Sequence, residues 1–160
     1  MEEWAQIAQE IAGVSDRSAA ILVAAHVDVA LSHLIEAELF LPLEEDALKP
    51  LYERDGALST FFSKIVLGYA MFLYDDKTRD DLEVIRRVRN AFSHVRRSIS
   101  FDTAEIVEEC KKLQTMNDHT HEVYKAFDWQ TCGYEQFGKL NNRRRFVVTG
   151  LSINLHFIIH

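Results

Sequence analysis

The chain has 160 residues, 48% of them hydrophobic, with six Gly, two Pro and two Cys, and a formal charge of −7. That length suits one domain whose core needs neither disulfides nor metal, and so little Gly and Pro excludes an all-β protein built from many tight turns. The acidic balance excludes a broad electrostatic grip on duplex DNA, which is ordinarily the work of a basic surface, so any RNA or DNA contact has to be local.

Cys110 and Cys132 form no CxxC pair, which fits a reducing cytoplasm. The start, Met1-Glu2-Glu3-Trp4, is acidic where a secretory signal is basic. No run approaches the roughly 20 uninterrupted apolar residues of a membrane helix. A cytoplasmic protein with no membrane partner is expected.

Trp4, Ile7, Ala8 and Ile11 recur at three and four, predicting a helix over about 3–12 closed by Gly13. Ser15-Asp16 offers the N-cap of a long second helix through Phe40, with Ala20, Val23, Val27, Ala30, Leu31, Leu34 and Ile35 inward and Pro42 ending it. Residues 43–56 read as a short helical turn and loop. Gly56-Ala57-Leu58-Ser59 opens a third long helix to about Tyr74, with Phe61, Ile65, Tyr69 and Phe72 on one face.

Asp75-Asp76 starts the next, from about Lys77 to Val95. One stripe there carries Leu82, Ile85, Arg89 and Phe92, and an adjacent one Val84, Val88, Ala91 and Val95. Asp102 or Thr103 caps a further helix through about Leu113, burying Ile106, Val107, Cys110 and Leu113. Residues 114–140 read as a loop with a short helix. From Leu151 to Ile159 the odd positions are all apolar, as in a strand, yet Phe146, Gly150, Ile153 and Phe157 also fit a helix. A lone strand has no partner elsewhere in the chain, so a helix over about 142–159 is predicted. The fold class expected is all-α, a single-domain helical bundle over residues 1–160 with no internal repeat.

The chemistry-bearing stretch is Arg89-Asn90-Ala91-Phe92-Ser93-His94. Arginine is a permanent cation that forks onto phosphate, and histidine moves protons near neutral pH. Together they suit phosphodiester cleavage by an RNA 2′-hydroxyl. The alternative is structural. Arg89 falls within an apolar stripe and must find a partner, such as Asp16, Asp28 or Glu36, while His94 caps a helix C-terminus. Five residues turn through about 140° on an ideal helix, so the pair converges only if the helix unwinds near Ser93 or a second subunit completes the site. Arg86, Arg87, Arg89, Arg96 and Arg97 have no acid among residues 86–97. They form either a phosphate-facing edge or a solvated face paired with Asp80, Asp81 and Glu83.

Arg-Asn followed by His at this spacing, at a helix end in an all-α domain, resembles the Rx4–6H signature of HEPN domains. Ser15-Asp16-Arg17-Ser18-Ala19-Ala20-Ile21-Leu22, then His26, then Gly56-Ala57-Leu58-Ser59, is similar to the mannitol operon repressor family. Leu82-Glu83-Val84-Ile85-Arg86 up to His94 and Ser100-Phe101-Asp102 continue the likeness, which runs from about Ser15 to Leu113. The resemblance implies an all-α fold, self-association as a homodimer, and a bacterial regulatory role without a recognisable DNA-binding motif. No helix-turn-helix with a basic recognition helix is found here either. The HEPN likeness implies, for Arg89, Asn90 and His94 alone, a metal-independent ribonuclease site at a dimer cleft.

His119-Thr120-His121 with Asp118 and Glu122 lacks a third ligand at a convincing spacing, so no metal is expected, nor any cofactor. His26 and His33 stand two turns apart on one helix. His26 and Asp28, within the family-like stretch, are further pocket residues, as Asp16 and Arg17 are further binding residues. Arg143-Arg144-Arg145 reads as a solvated first helical turn rather than a phosphate site. Trp4, Tyr124, Phe127 and Trp129 read as core or dimer-interface residues rather than a base-stacking platform. No Gly-rich phosphate loop or Ser or Cys nucleophile motif is present. Two functions remain open: a regulator that binds a protein partner or a local stretch of nucleic acid, and a HEPN-type endoribonuclease.

Overall fold

The computed structural model describes residues 2–39, 45–94, 98–115 and 141–159. Seven helices stand among them: α1 (Glu2–Gly13), α2 (Asp16–Glu38), α3 (Glu45–Tyr52), α4 (Phe61–Ala70), α5 (Asp76–His94), α6 (Ala104–Cys110) and α7 (Asn142–Ile159). No strand occurs among the described residues. The all-α expectation holds. Within residues 114–140 only Gln114 and Thr115 are described, so the loop and short helix expected there lie almost wholly outside the described residues, as do Arg96, Arg97, His119 and His121.

Each boundary has a local cause. Ser15 has extended backbone and its hydroxyl accepts the amide of Ser18, which starts α2. Thr60 and Ser63 form a reciprocal capping box for α4. That helix therefore begins four residues later than Gly56 would suggest. Gly56 lies in the preceding loop, where a Cβ would stand 2.3 Å from the carbonyl oxygens of Pro50 and Leu51.

α2 is the centre of the bundle. Ala20, Val23, Val27, Ala30, Leu31, Leu34 and Ile35 are buried on it, and α7, α5, α4 and α1 pack around it. By length and composition alone α2 could cross a bilayer, but half of that apolar stretch is core of the bundle. Its closest neighbour is α7, where a Cβ on Gly150 would come within 2.2 Å of Val23 Cγ1. α7 is buried continuously from Phe146 to Asn154. An all-round buried helix has no polar stripe, which is why its apolar residues also satisfy a strand pattern. A chain of tilted rings, Phe92–Phe101–Phe146, joins α5, the loop before α6, and α7 at centroid spacings of 5.1 and 5.3 Å.

Two polar knots hold elements that lie far apart in sequence. Asp16 accepts the amide of Phe101 at 3.0 Å and pairs with Arg143 at 2.9 Å. Arg143 also donates to the carbonyls of Ile11 and Val14, closing the end of α1. The arginine expected in a solvated turn instead ties three segments together. Asp81, fully buried on α5, accepts the amides of Gln114 and Thr115 and the Thr115 hydroxyl.

α4 ends in a Schellman motif: Leu73 N–H donates to the Gly68 carbonyl and Phe72 N–H to that of Tyr69. The left-handed position, normally glycine, is Phe72 with φ 57°. Phe72 was expected on the buried face of this helix with Phe61 and Ile65; it is instead 92% exposed. The helix stops at Ala70, so its periodicity no longer governs residue 72.

Candidate functional site

α5 carries the Arg–His motif on an unbroken helix that runs through His94, so the unwinding near Ser93 that would bring Arg89 and His94 together does not occur. Arg89 is half-buried and donates to Asn90 Oδ1 at 3.0 Å. Asn90 lies one turn before His94 on the same face, and His94 is exposed at the helix end. Among the described residues Arg89 makes no salt bridge to Asp16, Asp28 or Glu36; Asp16 is paired with Arg143 and Asp28 with Lys64.

Arg79, Arg86 and Arg87 of α5 are answered by acids. Arg86 binds Glu83 at 2.9 Å and Arg87 binds Glu109 of α6 at 2.8 Å. Burial pulls the Glu109 carboxyl upward, but its hydrogen bonds to Lys112 and Arg87 outweigh that and hold it below the ordinary carboxylate range. Of the acids expected to pair with this cluster, Glu83 does so, while Asp80 pairs with Arg79 and Asp81 is buried against the amides of Gln114 and Thr115. Arg17 is exposed at the start of α2. Asp28 meets Lys64 at 2.8 Å, an ion pair joining α2 to α4.

Two surfaces stand out. The first is the outer side of α4, where Phe62 and Val66, one turn apart, are each 51% exposed. Arginines of α5 lie over its rings, Arg86 over Phe62 at 5.1 Å and Arg79 over Tyr69 at 4.5 Å. Phe72 projects just beyond the helix end. Aromatic side chains bordered by guanidinium groups are what protein-binding surfaces favour. The sequence hid this surface because Phe72 continued an apolar period.

The second is a cleft of about 210 Å³ where α2 faces α1 and α7. His26, Ala30 and His33 line it from α2, Ile7 from α1, and Asn154 from α7. Val29 and Ile158, each 55% exposed, stand at its edge. His26 and Asp28 are about 200° apart around α2, so only the histidine reaches this cleft.

No group of three or more His, Cys, Asp or Glu converges on a metal position among the described residues. Burial pushes the Cys110 thiol up to about 12, which leaves it a poor nucleophile.

Fold and surfaces together define an all-α helical bundle with an exposed aromatic face on α4 and a small cleft beside α2. A chain of the X-ray structure of the MtlR-HPr complex from Escherichia coli has the same fold over its whole length, with a TM-score of 0.69, 99% of each chain covered and 17% sequence identity. No protein-family model matches this chain, and no curated protein matches it.

Proposed function

We propose that this protein is a regulator that acts by docking a small protein partner on the outer face of α4. The observation that carries this is Phe72. A large aromatic side chain there is almost fully exposed and stands on left-handed backbone that disfavours every residue except glycine and asparagine. Two unfavourable features at one position are a mark of function rather than folding. Phe62 and Val66 extend the apolar surface, and Arg79 and Arg86 border it. The neighbour in fold was solved with HPr, so HPr, or a protein of its kind, is the proposed partner. The mannitol-repressor resemblance agrees with such a role, and with a homodimer working in the cytoplasm, both of which are part of this proposal.

Calorimetric titration with Escherichia coli HPr tests it. Wild type should bind. Phe72→Gly should raise stability by about 1 kcal/mol, because glycine relieves the left-handed strain, while weakening binding at least tenfold. A Phe72→Gly protein that binds HPr as well as wild type, or a wild type that does not bind it, would overturn the reading.

A second reading keeps the α5 motif as a metal-independent ribonuclease site. What favours it is the arrangement of Arg89 on Asn90 with His94 exposed one turn on. There Arg89 would hold the scissile phosphate and His94 would move the proton, the second half of the site coming from another copy. RNA cleavage leaving 2′,3′-cyclic phosphate ends in the presence of chelator, and lost in His94→Ala, would establish it. Absence of cleavage would leave docking as the function.

A further inference from the structure

We infer that two copies of this chain pack together through the exposed side of α2, the helices running antiparallel about a two-fold axis at Ala25. This rests on the homodimer part of the reading above and not on docking at α4. α2 is apolar on nearly every side. α7, α5, α4 and α1 cover its inward residues, yet Ile21 and Val29 stay 38% and 55% exposed, and Ala25 between them is exposed too. A helix that is apolar all round is ordinarily enclosed, and an exposed helix face ordinarily carries charge. From Ser18 to Ile35 the only Asp, Glu, Lys or Arg is Asp28, which Lys64 of α4 already holds. Val29 adjoins Ile158 of α7, and Ile158 and Ile159 are 55% and 59% exposed. These aliphatic side chains leave on the order of a few hundred Å² of apolar surface open, the extent at which a patch marks an interface.

The order of residues along this face points to a second copy as the occupant. Ile21 and Val29 stand four residues to either side of Ala25, and Ser18 and Ser32 stand seven. A two-fold rotation about Ala25 therefore lays Ile21 on the partner's Val29 and Ser18 on the partner's Ser32. Each contact occurs twice, as an isologous interface requires. Ala25 meets its own counterpart on the axis, where a small side chain lets the helices come close. The ends agree in charge. Arg17 begins the helix and Glu36 stands near its other end, so an antiparallel pair sets each Arg17 within about one turn of the partner's Glu36. A parallel pair would set arginine beside arginine and glutamate beside glutamate, which like-charge repulsion disfavours.

Disulfide trapping of the full chain tests this, in a Cys132→Ser background where the remaining Cys110 is buried. Ala25→Cys should join to its own counterpart under mild oxidation, because the two side chains face each other on the axis. Val66→Cys, exposed on α4, should stay largely uncrosslinked. Without crosslinking, Ala25→Glu and Val29→Glu should each weaken self-association at least tenfold. Light scattering should then give the 18.5 kDa chain mass at concentrations where wild type gives about twice that. The inference is overturned if wild type is a monomer, if both glutamate variants stay dimeric, or if Ala25→Cys crosslinks no faster than Val66→Cys. Titration with HPr separates it from the docking reading. Ala25→Glu should bind HPr as wild type does, and a selective loss of HPr binding there would give this face to the partner and overturn the inference. A wild type that crosslinks through residue 25 but ignores HPr would sink the docking reading alone.

Discussion

Removing the carboxylate of Asp81 would leave the amides of Gln114 and Thr115 and the Thr115 hydroxyl without their acceptor in a fully buried place. Asp81→Ala should therefore lose about 3 kcal/mol of stability, seen as a Tm lower by roughly 6–12 °C. Thr115→Val removes only the hydroxyl and should lose less than half as much. If the two variants melt together, the backbone amides find other acceptors and Asp81 is not the anchor described. None of this was legible beforehand, since Asp81 looked like one acid among several on a charged helix and its partners lie 33 and 34 residues away. Arg143 was hidden in the same way, its carboxylate being 127 residues distant. Long-range polar pairs leave no periodic trace. Phe72 was misplaced for a different reason: apolar spacing carries no signal for where a helix stops unless a glycine marks the stop.

Among the elements, those with one buried face were readable. α2 and α5 alternate buried and exposed residues at helical spacing, and their expected inward residues are largely the buried ones, while on α4 Phe61 and Ile65 are buried as expected and Tyr69 only partly. α7 was readable only by elimination, because a helix enclosed on all sides shows no amphipathic face. Its Gly150 lies where it touches Val23 most closely. Gly150→Ala would place a methyl 2.2 Å from Val23 Cγ1, forcing α2 and α7 apart, and should lower stability by about 1–3 kcal/mol despite alanine's better helix propensity. Pairing it with Val23→Ala should restore part of the loss. A thermal melt in which Gly150→Ala alone is neutral would show that the two helices have slack at this point.

For the whole molecule the expectation is a homodimer, so light scattering should give about twice the 18.5 kDa chain mass at tens of micromolar. A strictly monomeric mass would remove the composite form of the α5 site, since Arg89 and His94 do not converge on one unbroken helix. It would leave the proposed docking face of α4 standing, because that face is complete within one chain. The apolar side chains of the α4 face, Phe62, Val66 and Phe72, lie off the helix that carries Arg89 and His94, so the proposed partner binding and the proposed RNA cleavage should be separable by single substitutions.

The packing of α7 against α2 has a consequence for how the chain reaches its native state. More than a hundred residues separate the two helices, and closing so long a loop is slow compared with forming local helical contacts. During synthesis α2 emerges early, and the described helix against which Val23 and Val27 pack at Gly150, Asn142–Ile159, is the last to be made. The nascent chain therefore displays a sticky helix for many seconds at ordinary translation rates, a natural client for chaperones that hold apolar segments. A chain ended after residue 140 should be poorly soluble and should lack a cooperative melt by circular dichroism. Adding a synthetic peptide of residues 141–160 should recover that melt if α7 is the piece that completes the core.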